Sequence, residues 1–218
     1  MDPLSQVSNT IALSMGSAWA SGINLYATIL TLGVMGITDN IVLPENLAIL
    51  TNPVVIGGAG VMFAVEFFAD KIPGLDSGWD AVHTFIRIPA GALMAAGAVG
   101  DVNPALMLTA GIMGGGLTAG THATKAGTRA LINTSPEPFT NWTASVTEDV
   151  AVIGGVWTAL QYPWLFIGFL VVFILLMIWL LPKLWRGIKK VFAAIGRLFG
   201  RKEPQPVPPG PADTGTGV

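Results

Sequence analysis

The sequence predicts an all-α, polytopic transmembrane helical bundle of about six spans, closed by a C-terminal amphipathic interfacial helix. Three observations predict it. Only 11% of the 218 residues are charged and 52% are hydrophobic, against about 25% charged in an ordinary soluble domain. Mean hydropathy is +0.64, and the apolar stretches number about six at a window of roughly 20 residues, the length that crosses a hydrocarbon core. The third observation is where the 11 Lys and Arg residues fall. Lys71 and Arg87 flank the second gap between stretches, Lys125 and Arg129 the fourth, and the rest, from Lys183 to Lys202, lie in the tail. The first and third gaps carry Asp39, Glu45 and Asp101 instead. Basic even gaps and non-basic odd gaps follow the positive-inside rule for an inner (cytoplasmic) membrane protein with N- and C-termini both cytoplasmic.

Span one is expected from about Ile11 to Ile37. It contains Asn24, which lipid would penalise, so the helix must face protein or water there. Span two, Leu47 to Asp70, contains Asn52-Pro53, a pair that opens the helix late or kinks it. Residues 71–78 (KIPGLDSG) read as a turn. Span three runs from Trp79 to Val99 and span four from Ala105 to Leu131. In span four, Gly111 with Gly115 and Gly116 with Gly120 have the small-xxx-small spacing of close helix packing. NTSPEP at 133–138 ends it, and spans five and six cover Phe139 to Leu160 and Trp164 to Leu181. Residues 1–182 thus form the transmembrane domain. In residues 183–202, Leu184, Ile188, Val191 or Phe192, Ile195 and Phe199 recur at helical spacing, with Arg186, Lys189, Lys190 and Arg197 on other faces. That is a basic juxtamembrane helix suited to anionic inner-leaflet lipids; the plainer alternative is an extension of span six. Residues 203–218, rich in Pro and Gly, are expected to be disordered.

Composition excludes some chemistry. There is no Cys, hence no disulfide framework, thiolate metal site or cysteine nucleophile. Met1-Asp2-Pro3 lacks the positive start of a signal peptide, so the first apolar stretch is expected to stay in the mature protein. No cofactor and no nucleic-acid partner are expected.

The charges outside the tail and outer turns gather in two windows, Glu66 to Arg87 and His122 to Asp149. Glu66 and Asp70 lie four apart and share a helix face. Asp80, His83 and Arg87 sit at i, i+3 and i+7; His122, Lys125 and Arg129 repeat that spacing. Asn141, Ser145, Glu148 and Asp149 line a fourth face. Apart from Ser145, these residues, with Lys71, Asp76 and Glu137 in the turns and Asn24 and Tyr26 on span one, form the expected substrate or ion pathway at the cytoplasmic ends of the spans. No catalytic residue and no metal ligand set is assigned. The bland reading pairs Glu66 or Asp70 with Arg87, and Glu148 or Asp149 with Lys125 or Arg129, as ion pairs that lock helices. A hydrated cavity explains the two His and the Asn and Ser residues better. Three uses of it stay open. Carboxylates and imidazoles are acceptable metal ligands, though no HExxH or Glu-x-x-His pair is present. Arg87, Lys125 and Arg129 suit a small polar or anionic substrate. His83 and His122 suit proton coupling.

The strings EFFADKIPGLDSGWDAVHTFIRIPAGA (66–92), HATKAGTRALINTSPEPFTNW (122–142), SVTEDV (145–150) and GINLYAT (22–28) resemble the bacterial membrane-protein family catalogued as domain of unknown function 4126. The resemblance spans about Ile11 to Leu181 and implies a multi-pass membrane protein; it implies no activity, substrate or catalytic residue. The expectation is a small transporter, channel or lipid-translocating protein, compatible with a homo-oligomer. The alternatives are a membrane-embedded enzyme acting on a lipid headgroup through Glu66, Asp70, His83 and His122, and a non-catalytic scaffold.

Overall fold

The computed structural model describes residues 2–72, 74–100, 103–134 and 138–198, with residues 138 and 195–198 described by backbone alone. Among them the chain is all-helical. It comprises α1 (Pro3–Ile23), α2 (Leu25–Ile37), a 3-10 helix (Glu45–Thr51), α3 (Pro53–Ala69), α4 (Leu75–Val99), α5 (Pro104–Ile132), α6 (Pro138–Gln161) and α7 (Pro163–Leu198). Five helices begin on proline, whose missing N–H is one that a first turn leaves unbonded anyway. Asparagine caps three starts: Asn24, Asn52 and Asn103 accept from the backbone N–H of Ala27, Val54 and Ala105. Asn52-Pro53 therefore opens α3, and the 3-10 helix before it is bent away by 65°.

Around the middle of the bundle the surface is apolar and a charged layer is buried. Phe85 is 82% exposed and Ile112 68%, while Glu66, Arg87 and Arg129 are fully buried at 0%. Water would reverse this distribution; a hydrocarbon solvent favours it. Helix α4 and the Pro163–Ala194 part of α7 are each long and apolar enough to cross a membrane, and the 3-10 helix with α3 makes a third candidate. The other expected spans do not pass that test. Helices α5 and α6 have 29 and 24 residues, but their averages are lowered by the polar side chains they turn inward.

The first expected span is not one helix. It breaks at Asn24, whose backbone is extended (φ −146°, ψ 103°), and the chain then turns back. Helix α1 descends from the far end of the bundle: Ser14 donates to the Ala95 carbonyl, Thr118 donates to that of Ala18, and Lys125 donates to that of Ile23. It runs parallel to α5 and against α6, with Gly16 beside Ala159 and Gly155 beside Trp19. Helix α2 climbs away again, antiparallel to α3: Gly60 faces Leu30, Gly33 faces Ile56 and Gly36 faces Thr51. The 3-10 helix lies back at the far end, with Leu47 against Gly97. So α1 and α2 form a helical hairpin with Asn24 at its tip. The expectation of one continuous first span over Ile11 to Ile37 is corrected accordingly. Helix α7 finishes at the opposite end from the start of α1, with Leu184 against Gly127 and Gly187 against Leu131.

The apolar core sits where α1 meets α6 and α7. Trp19 packs edge-on to Phe166, Phe169 and Phe173, with ring centroids 5.9, 5.3 and 5.9 Å away. Gly111 and Gly115 do let α5 approach α4, facing Ala92 and Ala96, and Gly114 meets Ala95; Gly116 faces open space and Gly120 meets Met177 of α7. The basic segment after Pro182 continues α7 without a break. Phe199, Arg201, Lys202 and the tail at 203–218 lie outside the described residues, as do Pro73, Asp101, Pro136 and Glu137.

Candidate functional site

Four helices contribute charge to one buried layer: α3 through its last turn, α4 through its first half, α5 through its last third and α6 through its first half. The i, i+3, i+7 spacing puts Asp80, His83 and Arg87 on the inward face of α4, and all three are buried. Arg87 lies about 18 Å along α4 at 1.5 Å per residue, so the layer reaches the middle of the bundle and not only the helix ends.

Arg87 is the deepest cation. Its Nη2 donates to Glu66 Oε1 at 2.5 Å and its Nη1 to Asp80 Oδ1 at 2.9 Å. The same Nη1 lies 3.1 Å from His122 Nδ1. A guanidinium has donors only, so Nδ1 accepts and the neutral ring carries its proton on Nε2. That N–H donates to Thr84 Oγ1 at 2.7 Å, and the Thr84 hydroxyl donates to the Asp80 carbonyl at 3.0 Å. His83 is set similarly. Its Nδ1 donates to the Trp79 carbonyl at 2.9 Å, which leaves Nε2 to accept from the Tyr26 hydroxyl at 3.0 Å. The Trp79 ring stacks on it, centroids 4.3 Å apart.

Arg129 joins α3, α5 and α6. Its Nε and Nη2 grip Glu148 in a bidentate pair at 3.1 and 2.8 Å, and its Nη1 donates to the Asp70 and Asn141 carbonyls at 3.2 and 3.1 Å. Lys125 sits between the two arginines. Its Nζ is 3.1 Å from Asp70 Oδ2, 3.4 Å from Glu66 Oε1, 3.5 Å from Asp80 Oδ1 and 3.6 Å from Glu148 Oε2. It also donates at 3.1 Å to the Ile23 carbonyl, which the end of α1 leaves free. The tip of the α1–α2 hairpin makes a second contact: Asn24 Nδ2 donates to Asp149 Oδ1 at 3.0 Å.

Nearer the end, a polar clasp joins the two turns. Asn133 Nδ2 donates to both Asp76 oxygens at 2.8 and 2.9 Å, and Asn141 donates to Asn133 Oδ1 at 2.8 Å. Lys71 lies in the α3–α4 turn, over the Phe67 ring, and donates to the Phe67 carbonyl at 2.9 Å. Burial lowers its pKa below that of a free lysine, against the opposing pull of Asp149 and Asp70.

Every expected pathway residue in the described part of the chain belongs to this assembly: Asn24, Tyr26, Glu66, Asp70, Lys71, Asp76, Asp80, His83, Arg87, His122, Lys125, Arg129, Asn141, Glu148 and Asp149. Glu137 lies outside it. Of the expected pairs, Glu66–Arg87 and Glu148–Arg129 form; Asp70 turns to Lys125 and Arg129, and Asp149 to Asn24. Thr84, which follows His83, and Asn133, which opens the NTSPEP segment, are additional members. No group of three or more His, Asp or Glu fit to hold a metal ion is present among the described residues.

A bundle that exposes its apolar side chains and buries a charged layer has the build of a helical membrane protein. The chain belongs to the family described as "Domain of unknown function (DUF4126)", whose model matches residues 11–183. No curated protein and no solved structure matches it.

Proposed function

We propose that the protein is a small transporter or channel of a bacterial inner membrane, with the layer around Lys125 as its central site. One observation carries the reading. Asn24 brings a non-helical break, a free helix C-terminus and a capped helix N-terminus to a charged layer at mid-bundle depth. Irregular backbone at membrane depth is tolerated where it is enclosed by protein or lines a water-filled path, and half-helix ends are suited to bind ions there. The layer is closed as it stands: its most exposed carboxylate, Glu148, shows 19% of its side chain.

In this reading α3 to α7 cross the membrane and α1–α2 dips in from the outside. The Lys71 turn, the Lys125 segment and the basic end of α7 face the cytoplasm, where Arg186, Lys189 and Lys190 meet anionic headgroups. The first ten residues carry no Lys or Arg, in keeping with an outer N-terminus. Reporters fused after Leu75 and after Val102 are expected to score cytoplasmic and periplasmic, and an N-terminal tag is expected to be protease-accessible from the periplasm. A cytoplasmic N-terminal tag would overturn the re-entrant arrangement.

The functional test is flux of a small charged solute into liposomes. Glu66→Gln and His83→Ala are each expected to reduce it at least tenfold while the protein still elutes as a folded species. Unchanged flux in both variants would leave the layer as a lock between helices.

A further inference from the structure

Building on that transport reading, we propose that the oxygen cage around Lys125 is a binding site for a small monovalent cation, occupied in the closed state by the lysine's own ammonium.

Five oxygens from four helices converge on Nζ within 3.1–3.6 Å: the Ile23 carbonyl, Asp70 Oδ2, Glu66 Oε1, Asp80 Oδ1 and Glu148 Oε2. An ammonium has three N–H groups. They are directed at Ile23, Asp70 and Glu66. Two oxygens therefore face the charge with no proton to accept, so the shell holds more oxygens than the lysine's three N–H groups can use.

Three of the cage carboxylates have bonding capacity left over: their second oxygens, Glu66 Oε2, Asp70 Oδ1 and Asp80 Oδ2, are buried without a hydrogen-bond partner, on side chains at least 97% buried. Four carboxylates (Glu66, Asp70, Asp80 and Glu148) share three cations (Arg87, Lys125 and Arg129). The surplus is negative, and Arg129 already gives its Nε and both Nη groups to Glu148, Asp70 and Asn141. The same basic residues that suggested an anion are thus held by carboxylates. A single charge is the fitting one, since the cage accepts a primary ammonium as it stands. The Ile23 carbonyl belongs to the re-entrant tip, so a shift of α1 removes one ligand and loosens the lysine; a free cation then takes its place among the carboxylates.

The test uses the purified full-length protein in detergent. Melting midpoints of wild type, Lys125→Ala and Lys125→Gln are measured in sodium, potassium and ammonium chloride, with choline chloride as the control cation too large for the cage. Wild type is expected to be indifferent to the choice of salt. Both variants are expected to gain several degrees, saturably, in at least one small cation over choline, as a ligand binding only the folded state does. Adding Asp70→Asn to Lys125→Ala is expected to abolish that gain. The proposal is overturned if no small cation stabilises either variant beyond choline. It is equally overturned if neither variant is recovered in any of the salts, because free ions then do not replace the tethered one. Cation-specific stabilisation without liposome flux would remove the transport reading and keep the cage; flux without such stabilisation would do the reverse.

Discussion

Arg87→Leu is expected to destabilise the protein by about 3–5 kcal/mol, because it strands buried carboxylates rather than merely deleting a contact. Glu66 and Asp80 lose their closest partner, at 2.5 and 2.9 Å, and both keep only Lys125, at 3.4 and 3.5 Å. The His122 ring loses the donor that fixes its tautomer. Adding Glu66→Gln to Arg87→Leu removes one stranded charge and is expected to restore part of the loss. Reversible unfolding in mixed micelles gives the order: wild type, then the double variant, then Arg87→Leu. If the single variant were as stable as the double, water must reach the layer and screen it, and the closed description would be wrong. The result bears on function too. A layer whose ion pairs cross between helices can open only by exchanging partners, so its stability sets the barrier to any movement of the tip at Asn24.

The membership of that layer was legible in the sequence because helical spacing is a strong constraint. Charges at i, i+3 and i+7 in an apolar helix must face inward or leave the membrane, and Asp80, His83, Arg87, His122, Lys125 and Arg129 all do face inward. Pair identity was only half legible. The spacing along a helix says which face a side chain takes, not which partner stands opposite, so Asp70 found Lys125 and Asp149 found Asn24. The reversal at Asn24 was not legible from hydropathy. An apolar window has no direction, and the first ten residues carry no basic residue to mark their side. The available signal was Gly22-Ile23-Asn24: a residue small enough for close approach, then one that caps a new helix. For similar reasons the glycines of α5 did not form one packing stripe. Gly111, Gly114 and Gly115 turn to α4 and Gly120 to α7, since α5 lies between two neighbours.

Gly22 is where a single methyl group is expected to separate fold from site. A Cβ there would stand 2.7 Å from the Thr118 carbonyl oxygen and from Thr121 Cβ, and 3.1 Å from the His122 nitrogen. Two of these are backbone atoms of α5, which cannot rotate aside, so α1 must move as a unit. Overpacking of this kind typically costs about 1–3 kcal/mol, and Gly22→Val is expected near the upper end. The displacement falls one residue before Ile23, whose carbonyl holds Lys125, and two before Asn24, which holds Asp149. Gly116→Ala is the matched control. It lies mid-helix with nothing within 4 Å of the new methyl, and alanine's helix preference is expected to stabilise it by up to about 1 kcal/mol. Melting midpoints that fall for Gly22→Val and hold or rise for Gly116→Ala would place the tight α1–α5 crossing at the tip. Equal midpoints would mean that α1 does not pack against α5 there, and the tip would then be too far from Lys125 to complete its cage.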